Sequence, residues 1–472
     1  NPLGETWTYT SDSHGRIIRK ESPLSHSVRY TFNSMGHINS FENPGGGITS
    51  YNYNAGGRLS RVLNPAGESA SFEWNDLGEM TRMVDALGKT WTFDFDRVGL
   101  LVALTDPSLR KTTYAYDPLR RIATESYPEG MLTYEYDPVG NVLSRKYSDG
   151  TVLSYFYDHA NRLTSADGLR IRYDSRGFMV ESNGLEISRD VGGGIVSISF
   201  GEGKTVTYAY DSRNLPILVR DWTGGETVLT YDLASRPLTI LRPNGIKTIY
   251  QYDAEGRLTG IEERRGDVIS NLAVARDASG LITGMSTQSD LLPFTEDALD
   301  TFAYNDSHEV VGRDYDGMGR LVRDGLRVFT WDLASRLRSL QEGTESTSFS
   351  YDALGYRIGL VKGSTIREYT WNYALDLPSV SLVRENGAPL RYYVHLPSGS
   401  LLYSIDVKDL SHRFYHFDAS GNTLFLSDDS GLITDTYAYT PFGRFTAYSG
   451  DSDNPYMYAG QFGVMREEDT GL

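Results

Sequence analysis

Tyr114-Ala115-Tyr116-Asp117-Pro118-Leu119-Arg120-Arg121-Ile122 is followed twenty residues later by Tyr134-Glu135-Tyr136-Asp137-Pro138-Val139-Gly140-Asn141-Val142, a second copy of one pattern. Tetrads of the same kind end at Asp158, Asp211 and Asp253. Relaxing the pattern extends it to 19 anchors: Asp12, Asn33, Asn54, Asn75, Asp96, Asp117, Asp137, Asp158, Asp174, Asp190, Asp211, Asp232, Asp253, Asp277, Asn305, Asp316, Asp332, Asp352 and Asn372. The first eight lie 21, 21, 21, 21, 21, 20 and 21 residues apart, a regularity that marks an internal repeat.

Each position of the repeat has a physical reading. Aromatic residues stand one before the anchor in 16 of 19 copies and three before it in 14, so they share one face of a strand. Asp or Asn at the anchor suits the first position of a type I turn, where its side chain accepts from the backbone two residues on. Three residues later stands Gly in 12 copies and Asn at Asn161 and Asn214, residues that tolerate positive φ. A hairpin with a bulge follows from that order. An apolar residue five after the anchor opens the return strand in 16 copies, and Arg precedes it in eight, among them Arg58, Arg162, Arg257 and Arg320. One repeat is therefore one β-hairpin, too small to be stable alone. The expected fold is all-β: tandem antiparallel hairpins of about 21 residues pairing edge to edge into a continuous sheet that twists into a curled spiral. Nineteen hairpins at about 4.8 Å per strand predict a ribbon about 180 Å long, enough to curve round a cavity but not to seal a whole domain.

Three regions depart from the period. The spacing falls to 16 around Asp174 and Asp190, predicting shorter hairpins, and Gly192-Gly193-Gly194 predicts a bulge or bend. Ser286 to Asp300 reads as an inserted loop or short helix. After Asn372 the motif fades, which divides the chain into a hairpin region at 1–375 and a separate segment at 376–472.

Composition narrows the function classes. The chain has no Cys, which removes disulfides, thiolate metal sites and a Cys nucleophile. Its net charge of −17 disfavours nucleic-acid binding through phosphates. No apolar run is long enough for a membrane-spanning helix. The sequence begins at Asn1 without a signal segment and reads as part of something longer.

Aromatic-x-Tyr-Asp-x-x-Gly-Arg-Leu at this period resembles the YD repeat of Rhs proteins, shared with toxin-complex shell components and teneurins. The resemblance covers residues 1 to about 375. In the tail, Tyr415-His416-Phe417-Asp418-Ala419-Ser420-Gly421-Asn422, Tyr437-Ala438-Tyr439-Thr440-Pro441-Phe442-Gly443-Arg444, Ala459-Gly460-Gln461-Phe462 and Glu467-Glu468-Asp469-Thr470-Gly471-Leu472 resemble the start of the Rhs-associated core. The resemblance implies a hollow shell that encloses a C-terminal toxin and is plugged by the core. It also implies an aspartyl autoprotease at an Asp-Pro-x-Gly segment. The chain stops at Leu472 before any such residues, so no autoproteolytic Asp is carried over.

Candidate chemistry is sparse. Gly201-Glu202-Gly203-Lys204-Thr205 lacks the first Gly of a P-loop, since Ile198 stands there, and reads as a hairpin turn. Asp469-Thr470-Gly471 is a single copy of a triplet that catalyses only in pairs. His412, His416 and Asp418 share a strand face but spread over about 13 Å, too far for one ion, and read as packing or surface residues. His14, His26, His37, His159 and His308 are scattered over other hairpins, and His308-Glu309 does not continue into a zincin motif. The acidic groups at Asp428-Asp429, Asp451/Asp453 and Glu467 to Asp469 read as solvated loops. The anchors read as turn formers rather than calcium ligands, and the tyrosine columns as packing rather than sugar platforms.

These readings predict a non-catalytic scaffold with no metal, cofactor or catalytic residue. It is expected to be secreted or at the surface of a bacterial cell. Its expected partners are its own toxin cargo, further Rhs shell segments and a component of a secretion apparatus. A teneurin-like recognition module for protein or glycan is the alternative, and an enzyme on a β-helix or propeller a third class.

Overall fold

The computed structural model describes residues 6–466 apart from 23–24, 26, 254–255, 277–281, 290, 292–301, 306, 441–442 and 444. Among the described residues there are 42 strands and one short helix, the 3-10 turn Gly460–Phe462. The strands form two antiparallel sheets: 28 strands from Thr8–Ser11 to Ile282–Gln288, and 14 from Asp314–Tyr315 to Phe445–Ser449. The expected hairpin architecture is thus present, in two runs that part where the spacing of the anchors becomes irregular. Ser286–Gln288, expected in a loop or short helix, instead completes a strand, and most of that stretch lies outside the described residues.

Neighbouring strands pair in chain order, and the anchor turn sets the register. Tyr114 faces Glu125, Ala115 faces Thr124 and Tyr116 faces Ile122, a bulge just before Asp117. The same shift falls between Asn52 and Tyr53, Glu73 and Trp74, and Glu135 and Tyr136. Position three after the anchor carries positive φ not only at Gly and Asn but also at Arg120, Ser235, His308 and Ser335, because the turn imposes it. A second set of turns alternates with the first and closes in the same way, at Asn43, Asn64, Asp85 and Asp106. The shorter repeats near Asp174 arise where such turns shrink to two residues, Asp167-Gly168 and Asn183-Gly184. Asn183 and Gly184 both have positive φ, the primed turn that matches strand twist.

Contacts divide the chain into two units. The first comprises Asn1–Leu153, Arg276–Thr283 and Thr301–Leu337. Its fully buried apolar side chains are few, among them Ala103, Leu132, Phe329 and Leu333, because most of its strands are only half covered. Here turns of the second sheet, and the turn at Asn305 just before it, dock on turns of the first: Gly317 N–H donates to Glu129 (2.8 Å), Leu333 N–H to Asp149 (2.9 Å), and Arg110 pairs with Glu309 (2.7 Å).

The second unit comprises Ser154–Ala275, Gly284–Asp300 and Arg338–Leu472. It holds two apolar clusters. In one, Ile187, Ile198, Val206, Val219 and Leu229 of the first sheet pack against Leu382, Tyr392, Val394, Ile405 and Phe414 of the second. In the other, Val380, Tyr393, Leu401, Tyr415, Leu426 and Tyr437 pack with Tyr456 and Met457. Strands such as Ser379–Glu385 and Leu401–Asp406 are therefore buried on both faces, which explains why their sequences lose the alternation of the repeat.

Candidate functional site

Among the described residues, two polar arrangements stand out: a staple repeated between hairpins, and a pair of buried histidine clusters in the second unit.

The staple begins at the anchor. Asp117 Oδ1 accepts from the backbone N–H of Leu119 and Arg121 (both 2.9 Å), and its Oδ2 accepts from Arg121 Nε (2.7 Å). The Arg121 backbone N–H and guanidinium hold the Asp117 carboxyl below the usual carboxylate range. Arg121 then reaches the next hairpin, donating to Asp137 O (3.1 Å) and lying 4.3 Å over the Tyr136 ring. Tyr136 in turn donates through its hydroxyl to Ile122 O (2.7 Å), back across the previous repeat. The same hydroxyl-to-carbonyl bond recurs at Tyr53, Tyr116, Tyr210, Tyr231 and Tyr252, and indole N–H takes its place at Trp74, Trp331 and Trp371. Arg176 and Arg213, two rather than four residues after their anchors, make the equivalent reach to Asp190 O and Asp232 O.

The histidine clusters lie on the strand His412–Phe417, whose residues 412, 414 and 416 face the first sheet. His412 Nδ1 is 2.7 Å from Asp429 Oδ1, and its Nε2 is 3.3 Å from Asp221 Oδ2 and 3.2 Å from Thr223 Oγ1. Asp221 also accepts from Tyr403 (2.9 Å) and from the Thr223 hydroxyl (2.6 Å). His416 Nε2 is 2.9 Å from Ser427 Oγ, while Nδ1 faces Glu263 Oε2 at 3.1 Å, off the best hydrogen-bond line. Arg242 stands 3.6 Å from Glu263 and donates to Thr248 (2.6 Å) and Tyr415 O (2.9 Å).

Serine, histidine and glutamate in this order match the connectivity of a nucleophilic triad. Ser427 and His416 are 0% exposed, however, and Ser427 also accepts from Asn244 (2.9 Å). The hydroxyl is enclosed, and its bonds to His416 and Asn244 join strands of the two sheets. A cavity of about 540 Å³ nearby includes Arg189, Tyr210, Tyr231 and Arg242 in its lining. Their donors are directed at protein: Arg189 to Met179 O and Gly193 O, and Tyr210 and Tyr231 to strand carbonyls.

Of the residues singled out in the sequence, Gly201 to Thr205 form a hairpin turn, closed by Phe200 N–H to Lys204 O (2.8 Å). His412 and His416 belong to separate carboxylate clusters, and Asp418 is a turn acceptor for Ser420 and Asn422, so the three do not converge. Among the described residues no group of three or more His, Asp or Glu is placed to hold a metal ion. His308 pairs with Asp85 (3.0 Å) and Asp453 with Arg367 (2.7 Å). Asp429 lies in an exposed turn, in keeping with its reading as a solvated loop, and from there also faces His412. Asp469-Thr470-Gly471 and His26 lie outside the described residues. Asp221, Arg242 and Glu263 were not singled out by the sequence. Glu263 left one signal: it shares the inward face of its strand with Ile261.

The family model for the Teneurin YD-shell matches residues 3–141 and 131–242, just over half of the chain, and the model for the RHS Repeat matches residues 229–268. The chain belongs to the Rhs/YD-repeat family. Among curated relatives of this YD-repeat chain, the tRNA3(Ser)-specific nuclease WapA of Bacillus spizizenii is 25% identical over 300 residues, 60% of this chain and 12% of that protein. Double-stranded DNA deaminase toxin A of Burkholderia cenocepacia is 26% identical over 299 residues, 56% of this chain and 19% of that protein. The chain thus matches less than a fifth of these relatives' length. Among solved structures, that of TcdB2-TccC3 covers 96% of this chain and 34% of its own, with a TM-score of 0.65 and 13% identity. The Photorhabdus luminescens Tc holotoxin pore covers 98% and 33%, with a TM-score of 0.65 and 12% identity. These likenesses show a common fold. In the YD repeat of this chain, both letters of the motif hold hairpins together. The Tyr ties its hairpin to the one before it, while the Asp shapes the turn and holds the Arg that reaches the one after.

Proposed function

We propose that this chain is a non-catalytic scaffold, a stretch of YD-repeat shell that encloses or presents a C-terminal toxin for delivery. The observation that supports this reading most is how the motif residues are used. Aromatic, Asp and Arg side chains are consumed in holding hairpin to hairpin, as a wall requires. Relatives named as a nuclease and a deaminase toxin support a toxin as cargo. On this reading residues 1–375 are shell and 376–472 begin the Rhs-associated core. The partners are the chain's own cargo, further shell segments and a component of a secretion apparatus, and the protein works in secreted or cell-surface form. Among the described residues no helix is long and apolar enough to cross a membrane.

Proteolysis of the full-length protein tests enclosure. The region downstream of the shell is expected to be cut slowly in the native protein and rapidly after denaturation; equal rates would defeat the proposal. Hydrolysis of glycans, peptides or nucleic acids by the purified 472-residue chain would defeat its non-catalytic part. The match to a teneurin model favours a second reading, a recognition module for protein or glycan. An Asp-Pro-x-Gly segment followed by an unrelated domain in the parent gene supports the shell, and a membrane span supports the recognition module.

A further inference from the structure

We propose that the strand His412–Phe417 is a pH-responsive latch, in which two histidines on one face grip the first sheet in opposite charge states and acidification releases the strand from that sheet. The latch is independent of what the shell carries.

The geometry sets the charge states. Both ring nitrogens of His412 face carboxylate oxygens, of Asp429 at 2.7 Å and Asp221 at 3.3 Å, groups that only accept. Both nitrogens must therefore carry protons, and His412 is an imidazolium between two anions. His416 is in the other state. Ser427 accepts from Asn244 and turns its own hydrogen to His416 Nε2, so that nitrogen is the acceptor and the proton sits on Nδ1 towards Glu263. Glu263 already serves as the anion for Arg242, and Thr248 and the ring of Phe425, 4.1 Å away, complete the site. Tyr250 adds a neutral phenol that senses both Glu263 and Arg242.

A proton on His416 puts a second cation beside Arg242, with Glu263 as their shared carboxylate, in a site where the three side chains are 0 to 5% exposed. Burial, followed by the Arg242 charge, holds the His416 pKa down to about 4. Burial works to raise the Glu263 pKa, but the Arg242 charge and the Thr248 hydroxyl, which need no charge on His416, act against it and the carboxyl stays low. At the other end burial is outweighed again: Asp221 and Asp429 raise the His412 pKa. An unfolded histidine titrates near 6.5, so the contribution of His416 is present above that value and lost as the pH falls from about 6.5 to about 4. His412 acts oppositely: its contribution is present in acid and lost as the pH rises through its raised value. The latch therefore lets go at its His416 end.

The test is hydrogen exchange on the whole 472-residue chain, labelled at pH 7.0, 5.5 and 4.5 and corrected for the intrinsic pH dependence of amide exchange. In the wild type the amides of 412–417 are expected to gain label about tenfold between pH 7.0 and 4.5, equivalent to about one unit of pKa change. His416→Gln keeps a donor for Glu263 and an acceptor for Ser427 but cannot gain a proton, so its gain is expected to be less than about threefold. Equal opening in both proteins, or no opening in the wild type, overturns the latch. If the variant fails to fold, NMR of histidine labelled at Cε1 decides on the wild type. A His416 signal that titrates near 6.5 overturns the proposal, and one that stays neutral to about pH 4.5 while His412 titrates above an unfolded histidine supports it.

Discussion

Asp332 and Asp352 occupy the same place in successive anchor turns but face different surroundings. Asp332 accepts from the backbone N–H of Arg336 (2.9 Å) and from its Nε (2.7 Å). Asp352, 0% exposed, accepts from the N–H groups of Leu354 and Tyr356 (both 2.9 Å) and from the Tyr373 hydroxyl, and Tyr356 stands where Asp332 has its Arg. Burial raises the Asp352 pKa above its ordinary 3.8 despite those donors. A raised carboxyl stabilises the fold below 3.8, and that contribution is lost as the pH rises through the folded value. At pH 7 the buried charge is therefore a cost. Asp352→Asn keeps the turn acceptor and removes the charge, and is expected to raise stability by about 1 kcal/mol at pH 7. Asp332→Asn strips Arg336 of its charged partner and is expected to lose about 2 kcal/mol. Urea unfolding at pH 7 measures both; a loss of similar size in the two would contradict the assignment.

Between elements, the staple predicts a graded cost. Tyr116→Phe removes only the hydroxyl bond to Leu101 O (2.7 Å) and is expected to cost about 1 kcal/mol. Trp74→Phe should cost at least as much, since it loses both the bond to Leu59 O and indole area. A double-mutant cycle of Arg121→Ala with Tyr136→Phe is expected to show little coupling, because the guanidinium lies over the ring and the hydroxyl binds elsewhere. Coupling above about 1 kcal/mol would mean that the two contacts act as one. The hairpins, bulges and anchor turns were legible because the period repeats the residues that build them. The alternate turns at Asn43, Asn64, Asp85 and Asp106 had a signal too, Asx placed midway between anchors, which the stronger Tyr-Asp pattern obscured. Arg120, Ser235, His308 and Ser335 at positive φ were not legible, because the turn overrides their own preference. Nor were Asp221 with His412 or Glu263 with His416: residues far apart in the chain meet through sheet packing, and no local pattern encodes which strands will face each other.

At the scale of the molecule, the two units differ in what their stability rests on. The first has few fully buried side chains and relies on strand pairing and staples, whereas the second adds two apolar clusters. Opening free energies follow burial, so at pH 7 the amides of strands such as Ile48–Tyr53 and Thr90–Phe95 should exchange faster than those of Ser379–Glu385 and Leu401–Asp406. Acid should narrow that gap. His395 and His416 both belong to the second unit, and burial holds the His395 pKa down to about 3. Each is neutral in the fold and titrates near 6.5 when unfolded, so each contribution is lost as the pH falls from about 6.5 towards its folded value. Hydrogen exchange followed by mass spectrometry, corrected for the intrinsic pH dependence, is expected to show protection of the second unit falling more steeply than that of the first between pH 7 and 4.5. His416→Gln should remove part of the difference and leave the part due to His395. Parallel loss in both units would show that acid acts on the pairing of strands they share in kind, and not on the buried histidines of one.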